Sequence, residues 1–183
     1  PPQLRACGGG GLGRVGGPEK NAGMAKLAKD GLAAVVSKHP DRFVGTSAVG
    51  PMNGPDGAAK EAERALTNGA HAVQLGTNVN GKPIDGKEFW PLYEVIEKSG
   101  KPILLHPARS REMIDYQGED KSKYEICSVL GWPFETGVTL SRFIFSKIMD
   151  TYPNLKIVSH HLGGVIPYLE GRIGHSFDQM GAR

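Results

Sequence analysis

The chain has 183 residues, 22% charged and 39% apolar, with a formal net charge of +3, so it can build a packed core and is no disordered tail. At this length roughly 70% of the unfolded surface can be buried, which fits one domain. No apolar run approaches the roughly 18 residues of a membrane span, no signal-peptide pattern is visible, and the mild charge without a Lys/Arg block points away from nucleic acid.

Taken in order, residues 1–17 read as a flexible glycine-rich segment. Gly11-Leu12-Gly13-Arg14-Val15-Gly16 spells the dinucleotide-binding pattern GxGxxG, but that mechanism needs a strand running straight into it, and the ten preceding residues offer no credible strand, so a flexible loop is expected. Pro18 to Pro40 reads as a helix, with Met24, Leu27, Leu32, Val35 and Val36 at helical spacing. Arg42 to Val49 reads as a buried strand and about Gly57 to Thr67 as a second helix. His71 to Gly76 is the next strand, followed by a helix from about Lys87 that ends before Gly100. Pro102 to His106 is a third strand.

The segment Pro107 to Trp132 is polar and aperiodic, a long excursion of the kind that serves a site. Phe134 to Asp150 is helical, Leu155 to His160 is a fourth strand, and Gly163 to Met180 closes as a helix. Four strand–helix units preceded by a helix mean an α/β fold with parallel strands. A doubly wound sheet and part of a (β/α)8 barrel both fit; a complete barrel takes about 250 residues.

In either architecture chemistry gathers at the carboxyl ends of the strands. His106 ends one apolar run, and His160-His161 end another. One such histidine is as well explained as a strand cap; two on separate strands of one sheet point to a metal or an acid/base site. His39, His71 and His175 read as surface or stability positions. Arg109, Arg111 and Arg172 could take an anionic substrate, with solvation as their default role. Two scattered cysteines, Cys7 and Cys127, give neither a disulfide scaffold nor an activated thiol, and a reducing, cytoplasmic compartment is expected. There is no GxSxG elbow and no phosphate loop.

Several motifs in the same order resemble the amidohydrolase-related metal-dependent enzymes, in the aminocarboxymuconate-semialdehyde decarboxylase-like branch. They are Pro40-Asp41-Arg42-Phe43-Val44-Gly45, Val73-Gln74-Leu75-Gly76-Thr77-Asn78-Val79-Asn80-Gly81 and Leu105-His106-Pro107. Gly131-Trp132-Pro133-Phe134-Glu135-Thr136 and Tyr152-Pro153-Asn154-Leu155-Lys156-Ile157 follow. His161-Leu162-Gly163-Gly164, with Pro167-Tyr168 and Gly171-Arg172-Ile173 behind it, is the strongest match. The resemblance covers about residues 18 to 175.

The resemblance implies a single domain that is part of a (β/α)8 TIM barrel, about four strand–helix units of it, incomplete at both ends. It implies a divalent metal, zinc with manganese as the alternative, and makes His106 a metal ligand. His161, rather than His160, becomes the catalytic acid/base. Arg172 would bind the substrate carboxylate across a homodimer interface, and Trp132 would help desolvate it. The implied reaction is decarboxylation of a small unsaturated or aromatic carboxylic acid, with the metal drawing the pKa of a bound water toward about 7 and His161 moving the proton. The family's first-strand His-x-His pair and late-strand aspartate have no counterpart here, and one ligand falls short of the three that catalytic zinc uses. A hydrolase or hydratase on the same barrel, or an inactive barrel fragment, are the rival expectations.

Overall fold

The computed structural model describes residues 3–5, 18–49 and 54–179. Their elements run β1 (Gln3–Arg5), α1 (Pro18–Lys38), β2 (Phe43–Val49), α2 (Pro55–Thr67), β3 (Ala72–Gly76), β4 (Asn78–Val79), β5 (Lys82–Pro83), α3 (Trp90–Ser99) and β6 (Ile103–His106). They continue with α4 (Ile126–Val129), α5 (Gly131–Phe145), α6 (Ile148–Thr151), β7 (Ile157–Ser159) and α7 (Ile166–Gln179). Short 3-10 turns occupy Lys87–Phe89 and His161–Gly163.

Strands β1, β2, β3, β6 and β7 form one sheet in that spatial order, every pair parallel. A doubly wound sheet reverses its order at a switch point. Here each new strand is added on the same side as the last, which builds the wall of a barrel. Strand order therefore decides between the two architectures that periodicity leaves open: the chain is α/β and covers a partial barrel.

Three differences from the sequence reading have local causes. Gln3–Arg5, expected to be flexible, is a strand whose Leu4 and Arg5 pair with Gly45 and Thr46 of β2. Only one of its three residues is apolar, so no run announces it; the open backbone edge of β2 supplies its partner. The expected helix Phe134 to Asp150 starts at Gly131 and breaks at Lys147, whose φ of 67° is left-handed, giving α5 and α6. Beyond β3 the chain folds a small hairpin, β4–β5, around Asn80 and Gly81, both at positive φ as such tight turns need. The Gly11 to Gly16 pattern and Cys7 lie outside the described residues. Cys127 is buried and free.

Alternation along the central strands sorts their side chains. Val73 and Leu75 of β3 and Ile103 and Leu105 of β6 are almost fully buried against Ala62 of α2 and Tyr93 of α3. Tyr93 donates its hydroxyl to Ile84 O at 2.5 Å and meets Phe143 of α5 edge to face, centroids 5.3 Å apart. That hydroxyl is buried, which pushes its pKa up and keeps it a donor. The other face of the same strands carries Gln74, Leu104 and His106. Between α1 and α2, Lys29 pairs with Glu61 at 7% and 16% side-chain exposure, and Arg64 shares the same carboxylate. No described helix is long and apolar enough to cross a membrane.

Candidate active site

The parallel register of β6 and β7 is the geometric origin of the site. Leu105 faces Ser159 across the pair, and the backbone N–H of His160 donates to Leu105 O at 3.0 Å. His106 and His160 therefore leave their strands at the same level, and their rings meet edge to face with centroids 4.8 Å apart. His161, one residue further on, brings its ring to 5.8 Å from His106 and 6.2 Å from His160. Trp132, from the first turn of α5, closes the group at 5.5 Å from His106 and 5.6 Å from His161, tilted only 31° to the latter.

The protonation pattern follows from contacts. His106 Nδ1 lies 2.7 Å from Pro107 O. A carbonyl only accepts, so Nδ1 carries a proton; the tautomer this selects for the neutral ring has its lone pair on Nε2, the nitrogen able to ligate. Burial, then the neighbouring His106 and His161, hold His160 below the usual histidine range. Burial, then His106, do the same for His161. Both rings therefore favour the neutral form at neutral pH.

Backbone strain marks the turn that carries His161. His161 and Leu162 have φ of 55° and 53°, left-handed values that cost a non-glycine residue about 1 kcal/mol or more each. The two glycines that follow have separate reasons to be glycine. Gly163 has φ +85°. Gly164 combines φ 63° with ψ −123°, and a Cβ there would stand 2.3 Å from Pro133 O on α5. The same close approach explains Gly137, where a Cβ would meet Val165 Cγ2 at 2.4 Å. The His161-Leu162-Gly163-Gly164 motif is thus the sequence trace of a turn pressed against α5.

The expected site residues divide cleanly. His106, His161 and Trp132 come together, and His160 joins them nearer to His106 than His161 is. Arg172 does not: it is exposed on α7 and lines a cavity of about 420 Å³ between α5 and α7 with Phe134, Phe145 and Phe177. Arg109 is turned into its own loop, donating to Met113 O and Ile114 O at 3.3 Å and to Asp115 at 3.2 Å, and Arg111 pairs with Glu125. Ser122 donates to Asp115 at 2.5 Å, and this bond, with Arg109, holds that carboxyl below its usual range. The polar excursion after β6 is thus ordered by its own side chains.

Glu135 has no role in the sequence reading beyond one letter of a motif, and the structure gives it work. Its Oε2 accepts from the backbone N–H groups of Ala108 at 3.1 Å and Arg109 at 2.7 Å, and its Oε1 accepts from Asn78 Nδ2. Thr77 Oγ1 accepts from Ala108 N at 2.8 Å, and Trp132 Nε1 donates to Arg109 O at 3.0 Å. No spacing rule reveals the Glu135 contacts, because the partners lie 26 to 57 residues apart.

Among the described residues no three His, Cys, Asp or Glu side chains are placed to hold a metal ion. His106 suits one ligand position by its tautomer.

The chain matches the amidohydrolase family over residues 8–179. It is 34% identical over 163 residues to 2-amino-3-carboxymuconate-6-semialdehyde decarboxylase of Dictyostelium discoideum, covering 88% of this chain and 44% of the relative. It is 33% identical over 161 residues to gamma-resorcylate decarboxylase of Polaromonas, covering 82% of this chain and 48% of that one. Its fold matches, at a TM-score of 0.85 and 27% identity, a crystal structure of 5-carboxyvanillate decarboxylase from Novosphingobium aromaticivorans complexed with manganese and 4-hydroxy-3-methoxy-5-nitrobenzoic acid; the match covers 97% of this chain and 50% of that one. The chain spans about half the length of the relatives it matches.

Proposed function

The chain belongs to the amidohydrolase family, and from that premise we propose that the protein is a metal-dependent carboxy-lyase that removes CO2 from a small aromatic or unsaturated carboxylic acid. One observation carries the reading: two strand ends and one helix bring His106, His160, His161 and Trp132 together, each ring within 6.2 Å of a neighbour, centroid to centroid. The Dictyostelium, Polaromonas and Novosphingobium proteins are all decarboxylases by name, which supports the reaction class.

His106 would hold a divalent metal through Nε2, with its further ligands coming from outside the described residues. Zinc is the proposed ion and manganese, present in the Novosphingobium neighbour, the alternative. Bound there, the metal would supply Lewis acidity beside the substrate. In decarboxylation the bond between the carboxyl carbon and its neighbour breaks, the electron pair stays on that neighbour, and one proton must arrive. His161 delivers it. Delivery uses the imidazolium form of the ring, which then takes its replacement proton from solvent. Trp132 walls the site and sheds water from the carboxylate, which favours its loss as CO2.

Arg172 lies on α7 apart from this cluster, so within one chain it does not clamp the substrate. We assign it to the site of a second subunit, which makes the protein a homodimer in which each Arg172 holds the partner's substrate carboxylate by its two-pronged guanidinium. We take the chain as part of a single amidohydrolase barrel domain, and the paucity of cysteine supports a cytoplasmic setting.

The test is the whole protein, metal-loaded, offered dihydroxybenzoic and unsaturated carboxylic acids while CO2 and product are measured. His161→Ala should lose turnover by about 10² to 10⁴ with metal content unchanged. Retained turnover overturns the role of His161. Water addition without CO2 release overturns the reaction class in favour of a hydratase or hydrolase.

A further inference from the structure

We infer that Glu135 is the positioning residue that aims His106, acting through the backbone rather than by touching substrate or metal. The inference rests on the reading of His106 as a metal ligand.

A carboxylate has two oxygens, and both oxygens of Glu135 are engaged: Oε2 by the Ala108 and Arg109 N–H groups, Oε1 by the Asn78 amide. These partners are all donors of the protein itself, and the His106 ring is not among them. What Glu135 does instead is pin the two residues after His106-Pro107 to α5. His106 is oriented by a hydrogen bond to Pro107 O. The peptide plane that Glu135 and Thr77 Oγ1 hold at Ala108 N is the plane that contains that carbonyl, so the clamp sets its direction. Outer partners of metal-binding histidines act in this way, and their loss typically weakens metal binding 10- to 100-fold.

The polarity of the clamp is fixed on both sides. Gly81 N donates to Asn78 Oδ1 at 2.9 Å, so the Asn78 amide must turn its NH2 toward Glu135. The Ala108 and Arg109 groups are backbone donors and cannot invert. Glu135 is thus surrounded by donors, and only an acceptor on both oxygens suits the position. Glutamine has the shape but one acceptor. Facing the backbone with its oxygen, it turns its own NH2 onto the Asn78 NH2, donor against donor. Changing Asn78 to aspartate removes that conflict, because the aspartate accepts from the glutamine NH2 and still accepts from Gly81 N. Aspartate at position 78 opposite the native Glu135 sets two carboxylates face to face.

The experiment uses the whole protein in four forms: wild type, Glu135→Gln, Asn78→Asp and the double variant. Zinc affinity is read by competition with a chromophoric chelator, folding by urea denaturation, and the His106 ring by the NMR signal of its Nδ1–H in the metal-free protein. Each single variant should bind zinc 10- to 100-fold more weakly and show faster solvent exchange of the His106 Nδ1–H, while remaining folded. The double variant should regain most of both. Singles that bind zinc like wild type with an unchanged His106 signal overturn the proposal. So does a double variant that folds but stays as weak as the singles, which is the result expected if Glu135 were itself a ligand. Should a single variant fail to fold, the double variant alone still decides between those outcomes. Wild-type protein that takes up no zinc or manganese refutes the metal reading of the site instead; the proton-exchange comparison then judges the clamp on its own.

Discussion

Replacing Gly164 by alanine tests whether the strained turn carrying His161 is built as its contacts indicate. The added methyl meets two separate obstacles. With φ 63° and ψ −123°, Gly164 sits where L-residues do not go, a conformation that costs about 1–3 kcal/mol. Its Cβ would also stand 2.3 Å from Pro133 O and 3.1 Å from Thr136 Cβ. The nearest of these atoms belongs to helical backbone, which cannot swing aside as a flexible side chain would, and overpacking of this kind costs about 1–3 kcal/mol. The sum, about 2–6 kcal/mol, is a large share of a total stability of about 5–15 kcal/mol. Urea unfolding of wild type and Gly164→Ala measures it directly, as a lower midpoint at unchanged slope. Gly31→Ala is the control: the position is exposed in α1, nothing lies within 4 Å of the new Cβ, and helix propensity gains about 0.8–1 kcal/mol. If Gly164→Ala falls within about 0.5 kcal/mol of wild type, the surface norm, the turn is not pressed against α5 and the physical account of the His-x-Gly-Gly motif is wrong.

Trp132→Phe keeps an aromatic ring beside the imidazoles and removes the Nε1–H bond to Arg109 O; it should cost about 1–2 kcal/mol, a melting decrease of roughly 2–8 °C at this chain length, and an unchanged melt would contradict the bond. The Lys29–Glu61–Arg64 group predicts an asymmetry. Burial depresses the Lys29 pKa more than its pairing with Glu61 raises it, whereas Glu61, also pushed up by burial, is brought below its usual value by hydrogen bonds from Arg64 and Lys29. The two directions differ because Lys29 is the more deeply buried and bonds one carboxylate, whereas the less buried Glu61 accepts from both Arg64 and Lys29: the cation is a net cost of burial, and the twice-bonded anion is a net gain. Lys29→Met should therefore lie within about 1 kcal/mol of wild type, while Glu61→Gln, which strands the buried ammonium, should lose about 1.5–3 kcal/mol at pH 7; urea midpoints in the reverse order would sink the reasoning. With its folded pKa depressed, Glu61 contributes fully above about pH 4.5, and the gap between wild type and Glu61→Gln should close as pH falls through the folded value. A gap that persists at pH well below the carboxylate range would show that charge is not its source.

Much of the barrel is legible in the sequence because its signals are local. Apolar runs such as Ile103-Leu104-Leu105 and helical spacing such as Phe89-Leu92-Tyr93-Ile96 reflect the faces that pack. The ends are less so: Gln3–Arg5 is a strand by virtue of its neighbour, and Lys147 breaks a helix through one left-handed residue. The choice between barrel and doubly wound sheet is not legible from periodicity, since strand order is a property of how crossovers stack and leaves no mark on any one segment. His106 and His161 can be picked out because strand ends are where catalysis concentrates. Glu135 cannot, because its value lies in accepting backbone N–H groups, and a backbone N–H looks the same at almost every residue.

The contacts of α5 explain why the motifs crowd onto it. Trp132 lies beside His161 and bonds Arg109 O, Pro133 O meets the turn at Gly164, and Glu135 holds the Ala108–Arg109 backbone. Thr139 Oγ1, one turn on, donates to Thr77 O at 3.3 Å, beside the Thr77 hydroxyl that receives Ala108 N. The amino-terminal half of a single helix thereby touches both histidine-bearing strand ends, while Phe143 fixes its other half in the core against Tyr93. Two strands bring imidazoles to a common level, but only a rigid third element contacting both turns can fix the distance between them. A core change at Phe143 should therefore disturb His106 and His161 together, whereas changes at Glu135 or Gly164 should each disturb mainly the one histidine nearest to them.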